Sequence, residues 1–507
     1  MKLHLAIAIA AVLITTLTAQ TSAQVPLTVP QQPIVELLDE IPDQIVDTKP
    51  LSSSSESQEE PAQTSGSLTL APLQRSFPGY GGEALDETSV TGVYFMTNLN
   101  ASGPGSLTAA PSNAYIVPLV AGEIKSDIGI VLSQSNVRFL GQLAPGRISL
   151  DGSSVYNNAP LVEFNGSNTL WQYLTLKSGD SDLGAGIAIS HSPFTVRRGA
   201  VGVVLANMSV HYGDDDNGSV WDTGTSDVTF YRMLVAFATD RGALGGNVDY
   251  GFINGGGSKN VSVFQNLFVV DGRAPLMQNT TGQVDNNITY TGSGVTNQLQ
   301  SSPAAAGLTN AQYNYTNNLN ISNGLSGSQG VWLGQHNTVH GVNPPTHSLR
   351  AYLENNNFRR CSGGGYLPMI TFTSNASNDA GGDVTPYITN TPFNMPTLPS
   401  ITDPATLEST LIPVVGNSLY RDAIDTDIIS IVSSCEPKPN ETTASNYFAN
   451  PWPTGPTKEP ITIWDTASPD GLSDSAKAVF GFPPGANLLS PNDGRWEAVV
   501  QHYTGLL

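Results

Sequence analysis

Short apolar runs rich in β-branched residues recur along most of this chain, and no clear helical segment separates them. They lie at 93–96, 128–132, 137–140, 170–176, 201–210, 227–237, 261–270 and 283–290. A repeat of roughly 20 to 35 residues is typical of a solenoid whose turns each contribute short strands. Pairs such as Asn286-Asn287 and Asn317-Asn318 suit tight corners, because Asn tolerates left-handed backbone. We therefore predict an all-β fold, a right-handed parallel β-helix, over a β-sandwich or propeller, because β-helix corners tolerate long loops.

The composition excludes several classes of protein. Of the 507 residues, only 12% are charged, and 42 acids against 21 bases give a formal net charge of −21. A nucleic-acid-binding protein needs a basic surface, which this balance does not provide. Coiled coils and helical bundles need Glu, Lys, Ala and Leu at helical spacing, and this chain lacks that pattern. The 50 Gly and 35 Pro residues favour a turn-rich protein.

The N-terminal segment has the pattern of an export signal. Residues 1–23 combine Lys2, an apolar run at 5–14 and small residues near the end, as in a secretory signal peptide. The run is too short to cross a bilayer, so we expect a secreted, extracellular protein with no membrane span. An uncleaved membrane anchor is the alternative. Residues 24–75 are rich in Pro, Ser and Glu and predict a disordered spacer.

The composition changes at residue 76. We assign 76–380 to the β-helix and 381–507 to a loop-rich, Pro-containing C-terminal region that ends in a small cap. Cys361 and Cys435 leave two alternatives open, one disulfide or two free buried thiols. Asn-x-Ser/Thr sequons indicate a glycoprotein; examples are Asn100, Asn207, Asn279 and Asn440.

Four Gly-containing motifs give the sequence its most specific signature. They read FPGYGG at 77–82, VYFMTNLNASGPGSL at 93–107, GEI at 122–124 and GQLAPG at 141–146. In this order and spacing they resemble the N-terminal half of secreted pectate lyases of polysaccharide lyase family 1. The resemblance covers about residues 76–325 and implies a right-handed parallel β-helix. It also implies Ca²⁺-dependent cleavage of pectate, an acidic polysaccharide.

Acidic residues in this region supply candidate calcium ligands. β-Elimination removes the C5 proton beside a uronate carboxylate, and a hard cation on that carboxylate stabilises the developing enolate. Ca²⁺ takes several oxygen ligands in flexible geometry. Asp180 and Asp182 match an Asp pair that binds calcium in the family, with a Gly-Asp-Ser turn as the alternative. Asp215 and Asp216 occupy the acidic positions of the next family motif, and Asp222 resembles a further ligand; a solvated acidic turn is the alternative for this group.

Two arginines resemble the family's substrate-contacting residues. Arg273 matches the arginine of an Arg-x-Pro motif to which the family assigns C5 proton abstraction. Because a guanidinium normally stays protonated, an electrostatic role toward the substrate carboxylate is the more conservative assignment. Arg241 lies where some members place a basic substrate-binding residue. Structural ion pairs with Asp271 and Asp240 are the respective alternatives. The family has a second arginine directly after the Arg-x-Pro motif. In this chain Leu276 occupies that position.

The residues 465–474 resemble a short calcium loop found at the end of some bacterial relatives, with a helix-capping turn as the alternative.

Three functions follow from the sequence. The leading one is a secreted, Ca²⁺-dependent polysaccharide lyase acting on pectate, as a monomer. A polygalacturonase-like glycoside hydrolase is the second, because Gly213-Asp214-Asp215 resembles that family's paired Asp motif. A non-catalytic carbohydrate-binding β-solenoid is the third.

Overall fold

The computed structural model describes the middle of the chain. The described residues are 77–152, 155, 159–178, 192–213, 216–237, 251–270, 274–278, 281–291, 295–301, 310–322, 329–335, 348–361, 370–373, 384–389 and 404–435. The predicted signal peptide and spacer lie outside these ranges, as does the predicted calcium loop at 465–474.

Three parallel sheets make up the described fold, and from β2 to β28 each successive turn of the chain adds one strand to each sheet. Sheet 1 consists of β1 Gly92–Met96, β2 Ala114–Pro118, β5 Val137–Leu140, β8 Thr169–Gln172, β11 Val201–Ala206, β14 Ser226–Tyr231, β17 Lys259–Phe264, β20 Thr281–Asp285, β23 Asn310–Thr316, β26 Ser348–Glu354 and β29 Val384–Thr389. Sheet 2 consists of β3 Gly122–Lys125, β6 Ile148–Gly152, β9 Leu174–Ser178, β12 Ser209–His211, β15 Leu234–Ala236, β18 Leu267–Val270, β21 Ile288–Thr291, β24 Leu319–Ser322 and β27 Asn357–Arg360. Sheet 3 consists of β4 Ile130–Leu132, β7 Val162–Phe164, β10 Phe194–Val196, β13 Ser219–Val220, β16 Ile253–Asn254, β19 Leu276–Gln278, β22 Val295–Ser301, β25 Gln329–Gln335 and β28 Ile370–Thr373.

This arrangement is a right-handed parallel β-helix, as the sequence predicts. Every strand pairs in parallel with the equivalent strand of the next turn, for example Val203 of β11 with Val228 of β14. Parallel connections of this kind are right-handed in nearly all proteins. The last strand, β29, lies beyond residue 380 and pairs with β26, so sheet 1 continues past the predicted boundary of the β-helix.

From β8 onward, the corner between sheets 1 and 2 is one or two residues long. The chain turns there through one residue with positive φ, which is Tyr173, Asn207, Arg232, Gln265, Asn286, Asn317 or Asn355 in successive turns. The longer apolar runs of the sequence, such as 170–176 and 201–210, are therefore two strands each. Periodicity alone misses this break because both strands are apolar and only one residue departs from extended backbone. The predicted Asn corners are confirmed at Asn286 and Asn317.

A ladder of buried asparagines follows these corners inside the β-helix. It consists of Asn266, Asn287, Asn318 and Asn356, each fully or almost fully buried. The Oδ1 atom of Asn287 accepts hydrogen bonds from the backbone N–H of Asn266 (2.8 Å) and from its Nδ2 (3.0 Å). The Nδ2 atom of Asn287 donates to Val263 O (2.8 Å) and to Asn318 Oδ1 (2.9 Å). The ladder satisfies buried backbone groups that the corner would otherwise leave without partners.

The N-terminal motif FPGYGG packs on the outer face of sheet 1. It forms the helix α1, Gly79–Glu83. The backbone N–H of Gly81 donates to Thr229 Oγ1 at 3.0 Å. A Cβ atom on Gly81 would lie 2.5 Å from the carbonyl oxygen of Val203, so only glycine allows this approach. The motif therefore has a structural role. Three short 3₁₀ turns lie at Glu87–Ser89, Leu107–Ala109 and Gly141–Leu143.

Two C-terminal helices cover the outer face of sheet 2. They are α2, Pro404–Leu411, and α3, Ala423–Ser434. Their apolar side chains pack on residues in or directly after five sheet-2 strands, namely Tyr212, Leu234, Leu267, Ile288 and Leu319 with their neighbours. A disulfide joins Cys361, after β27, to Cys435, at the end of α3, and so settles the alternatives that the sequence left open.

The helices also bury one predicted glycosylation site. Asn207 is 7% exposed and its Nδ2 donates to Val414 O at 2.9 Å, in the connection between α2 and α3. This asparagine is not accessible to a glycan, whereas Asn100 is exposed. Within the described residues, no helix is long and apolar enough to cross a membrane.

Candidate active site

Most residues that the sequence singles out as functional lie outside the described part of the chain. These are Asp180, Asp182, Asp215, Arg241 and Arg273. The strands that precede them are described. β9 leads toward Asp180 and Asp182, β12 toward Asp215, β15 toward Arg241 and β18 toward Arg273. These four strands are consecutive neighbours in sheet 2, so their C-terminal ends lie about 4.8 Å apart along one edge.

Asp216 is the one predicted ligand described at the corner between sheets 2 and 3, which we call corner 2–3. It is buried, and its carboxylate accepts a hydrogen bond from Ser192 Oγ on the preceding turn. The adjacent Asn217 is fully buried and accepts from the backbone N–H of Gly213 at 2.9 Å, while its Nδ2 donates to Ala236 O at 3.3 Å. Asn217 thus ties the corner to the next turn and positions Asp216.

Asp222 lies at the opposite end of β13, at the corner between sheets 3 and 1, which we call corner 3–1. Its Oδ2 accepts the backbone N–H of Arg198 at 3.2 Å, and its own φ is 80°. The structure therefore separates Asp216 and Asp222 by a strand, although the two residues are close in sequence. Asp222 therefore has a structural contact, the backbone N–H of Arg198, that does not involve a metal.

The outer face of sheet 3 lies between these two corners. Parallel pairing aligns Glu163, Thr195, Ser219 and Ile253 on it in successive turns. The hydroxyl groups of Thr195 and Ser219 are 2.9 Å apart and bond to each other. The centre of this row therefore carries small polar side chains.

An arginine pair flanks this row at corner 3–1. Arg197 and Arg198 both form ion pairs with the carboxylate of Glu163, which is almost fully buried. Partial burial, and then the nearby charge of Arg198, lower the pKa of Arg197, while the charge of Asp222 acts in the opposite direction. Neither arginine belongs to a motif that points to function in the sequence. An adjacent basic pair in so acidic a chain is the signal that could have found them.

The predicted metal ligands are all carboxylates, and oxygen donors are the ligands that Ca²⁺ prefers. Asp216 fits such a set in chemistry, because its carboxylate supplies oxygen donors. It also fits in position, because it lies at corner 2–3, the corner toward which β9 leads. Among the described residues, no three His, Cys, Asp or Glu side chains come together as a metal site. Three of the five predicted ligands lie outside those residues, so calcium binding stays a prediction.

Comparison with known proteins identifies fungal relatives over most of the chain. A protein named probable pectate lyase C from Aspergillus terreus is 26% identical over 422 residues, covering 81% of this chain and 88% of the relative. The proteins of the same name from Aspergillus fumigatus and Emericella nidulans are 25% and 27% identical, over 417 and 377 residues. These two matches cover 81% and 72% of this chain, and 89% and 79% of the relatives. The chain is therefore pectate lyase-like at low sequence identity.

No family model matches the chain. Among solved structures, the crystal structure of Jun a 1, the major allergen from cedar pollen, is 12% identical and covers 71% of this chain and 92% of its own. The TM-score of 0.33 is too low for this likeness to carry an argument.

Proposed function

We propose that this chain, whose relatives over four-fifths of its length are named probable pectate lyases, is a polysaccharide lyase that cleaves pectate by calcium-assisted β-elimination. The observation that carries the proposal is the order of strands in sheet 2. The strands that lead to the candidate aspartates and to Arg273 are neighbours along one edge. Candidate groups that are nearly a hundred residues apart in sequence therefore follow strands of four consecutive turns.

Each group has a defined task in this reaction. Asp180, Asp182, Asp215 and Asp216 would hold Ca²⁺, which supplies charge neutralisation of the uronate carboxylate when bound. Asp222, at the other end of β13, is the predicted ligand with an alternative partner in Arg198. Arg273 would face the reacting uronate and hold its carboxylate by charge-assisted hydrogen bonds. The C5 proton would pass to a solvent base, the C4–C5 double bond would form, and the C4–O4 bond would break, with the leaving oxygen taking a proton from water. Arg241 would bind the adjacent part of the polymer.

Two features support action outside the cell. The N-terminal 23 residues have the pattern of a secretory signal peptide. The disulfide between Cys361 and Cys435 agrees with an oxidising compartment, because such bonds are rare in the cytosol. An extracellular enzyme of this kind has direct access to pectate.

Incubation of the purified chain with polygalacturonate and Ca²⁺ tests the proposal. We expect an unsaturated uronide product, measured by its ultraviolet absorbance, that disappears with EDTA and returns when Ca²⁺ is restored. Arg273→Ala should lower the rate at least 100-fold, whereas Arg350→Ala, an exposed arginine on β26, should not change it. New reducing ends without unsaturation would indicate a hydrolase instead. Polymer binding without any product would indicate a carbohydrate-binding solenoid.

A further inference from the structure

Trp221 forms a flat aromatic surface at corner 3–1. Its indole ring lies across Gly255 and Gly256 of the next turn. A Cβ atom on Gly255 would lie 2.4 Å from Cζ3 of the ring, and one on Gly256 would lie 2.8 Å from Cδ1. The ring therefore fills the space that side chains at positions 255 and 256 would occupy. It packs directly on the glycine backbone there.

Part of the Trp221 side chain remains open to solvent. Trp221 is 40% exposed, whereas Trp171 in the core is fully buried. In the part of the chain that the structure describes, Tyr352 is the other aromatic side chain with comparable exposure, at 36%. Exposure of a large indole is unfavourable in water, and a partly exposed aromatic ring can stack on a second flat apolar surface. The axial C–H face of a pyranose ring is such a surface.

Hydrogen-bond donors for an anionic group lie on the neighbouring turn. The backbone N–H of Trp221 donates to Val196 O at 2.9 Å, so Trp221 stands directly beside Arg197 in the stack, and Asp222 stands beside Arg198. The Arg198 side chain is 63% exposed and donates to Glu163 through Nε. A guanidinium has five N–H donors, so the terminal nitrogens of Arg198 can still donate to a ligand carboxylate.

The local charges set the character of this site. Two guanidinium groups and the carboxylates of Glu163 and Asp222 balance each other. A ligand is therefore attracted by directed N–H donors and by stacking more than by net charge. One strand spacing, about 4.8 Å, separates the arginine turn from the Trp221 turn, which is comparable to the width of one sugar ring.

We propose that Trp221 and Arg198 form a binding subsite for one uronate unit of the polysaccharide. The indole ring stacks on the pyranose, and the Arg198 guanidinium binds the carboxylate. This inference rests on the proposed function for the identity of the polymer. It adds a contact at corner 3–1, across sheet 3 from Asp216 at corner 2–3. The subsite holds the polymer and takes no part in bond cleavage.

Binding of saturated oligogalacturonate to the full chain, measured by isothermal titration calorimetry, tests the subsite. Trp221→Ala should lower the affinity about 10-fold, which corresponds to about 1.4 kcal/mol, and Trp221→Phe should recover most of it. Arg198→Gln should lower the affinity for oligogalacturonate but not for its methyl ester, which carries no charge. Tyr352→Ala is the matched control and should bind as the unchanged protein does. Circular dichroism and the Tm of each variant show whether it is folded.

Equal affinity of folded Trp221→Ala and the unchanged protein would overturn the subsite. Kinetics separate this failure from failure of the proposed function. If the chain forms unsaturated product and Trp221→Ala leaves KM unchanged, the lyase assignment stands and the subsite is wrong. If the chain forms no product but Trp221→Ala still weakens binding, the subsite stands and the lyase assignment is wrong.

Discussion

The Nζ atom of Lys177 on β9 lies 3.1 Å from Oδ2 of Asp422 at the N-terminus of α3, and both side chains are fully buried. Arg147 approaches the same oxygen at 2.6 Å through Nη1. Next to this contact, His211 Nε2 lies 3.0 Å from Asp425 Oδ1, and both of those side chains are also fully buried. Asp422 and Asp425 form the capping box of α3, so the helix presents its N-terminal acids to cations on sheet 2. This contact fixes the position of α3 on the β-helix.

Removal of one partner of this pair should be strongly destabilising. Asp422→Asn removes the carboxylate charge that the buried Lys177 and the partly buried Arg147 both contact, so we expect a loss of about 3–5 kcal/mol in the free energy of unfolding. Urea denaturation measures it. The double variant Lys177→Met/Asp422→Asn should lose less than the sum of the single variants, because it leaves less uncompensated charge. Asp427→Asn, an exposed site on the same helix, should change stability by less than about 0.5 kcal/mol. If Asp422→Asn also lowers the free energy of unfolding by less than about 0.5 kcal/mol, the pair does not have this role.

The same carboxylate should make stability sensitive to acid. Burial alone would raise the pKa of Asp422, but the positive charges of Lys177, His211 and Arg147 and the backbone N–H of Asp425 outweigh it and lower the pKa. A carboxyl whose pKa is lower in the folded state stabilises the fold fully above its unfolded pKa of about 3.9. This contribution is lost as the pH falls below that value toward the folded pKa. The difference in Tm between the unchanged protein and Asp422→Asn should therefore shrink below about pH 4. A constant difference between pH 6 and pH 2 would argue against this linkage.

The asparagine ladder should be sensitive to single substitutions at its buried members. Asn287→Ala removes the acceptor for two Asn266 donors and the donor to Val263 O. Each buried polar group left without a partner costs about 1–3 kcal/mol, so we expect a loss at least that large in the free energy of unfolding. Asn355→Gly is the matched control, because glycine accepts the positive φ of that corner and Asn355 is not a member of the ladder; its cost should stay below about 1 kcal/mol. Similar costs for the two variants would show that the corner geometry, and not the ladder, carries the stability.

Loss of the disulfide should loosen the attachment of α3. The bond between Cys361 and Cys435 closes a segment with a sequence separation of 74. Loop-closure entropy then predicts about 4 kcal/mol of stabilisation, so Cys361→Ser/Cys435→Ser should have a clearly lower Tm under oxidising conditions. Hydrogen exchange should increase first in α3. Equal Tm values for the variant and the unchanged protein, both measured without reductant, would contradict this prediction.

The sequence predicts the repeating part of the fold well because its signals are local. The runs at 137–140 and 93–96 coincide with β5 and most of β1, and Asn286 and Asn317 occupy corners as expected. The boundaries inside longer runs could not be found in this way. A single residue with positive φ, such as Gln265 or Arg232, ends one strand and begins the next without any change in hydropathy.

The candidate site shows the limit of local reasoning more clearly. Asp216 and Asp222 appear in one short acidic stretch, but β13 places them at different corners of the turn. Trp221 and Arg198 share no sequence motif, yet the stacking of turns brings both to corner 3–1, where Trp221 lies beside Arg197 and Asp222 beside Arg198. The register between parallel strands decides such neighbours, and the local sequence does not encode it.

The sequence by itself determined a secretory pattern, a chain of stacked short strands and a resemblance to pectate lyases. Local backbone preference and alternation of apolar residues suffice for these properties. Only the tertiary structure decided that α2 and α3 cover sheet 2, that the two cysteines are bonded, and that Lys177 meets Asp422. Those contacts join distant parts of the chain, and they depend on which faces the completed β-helix leaves to be buried.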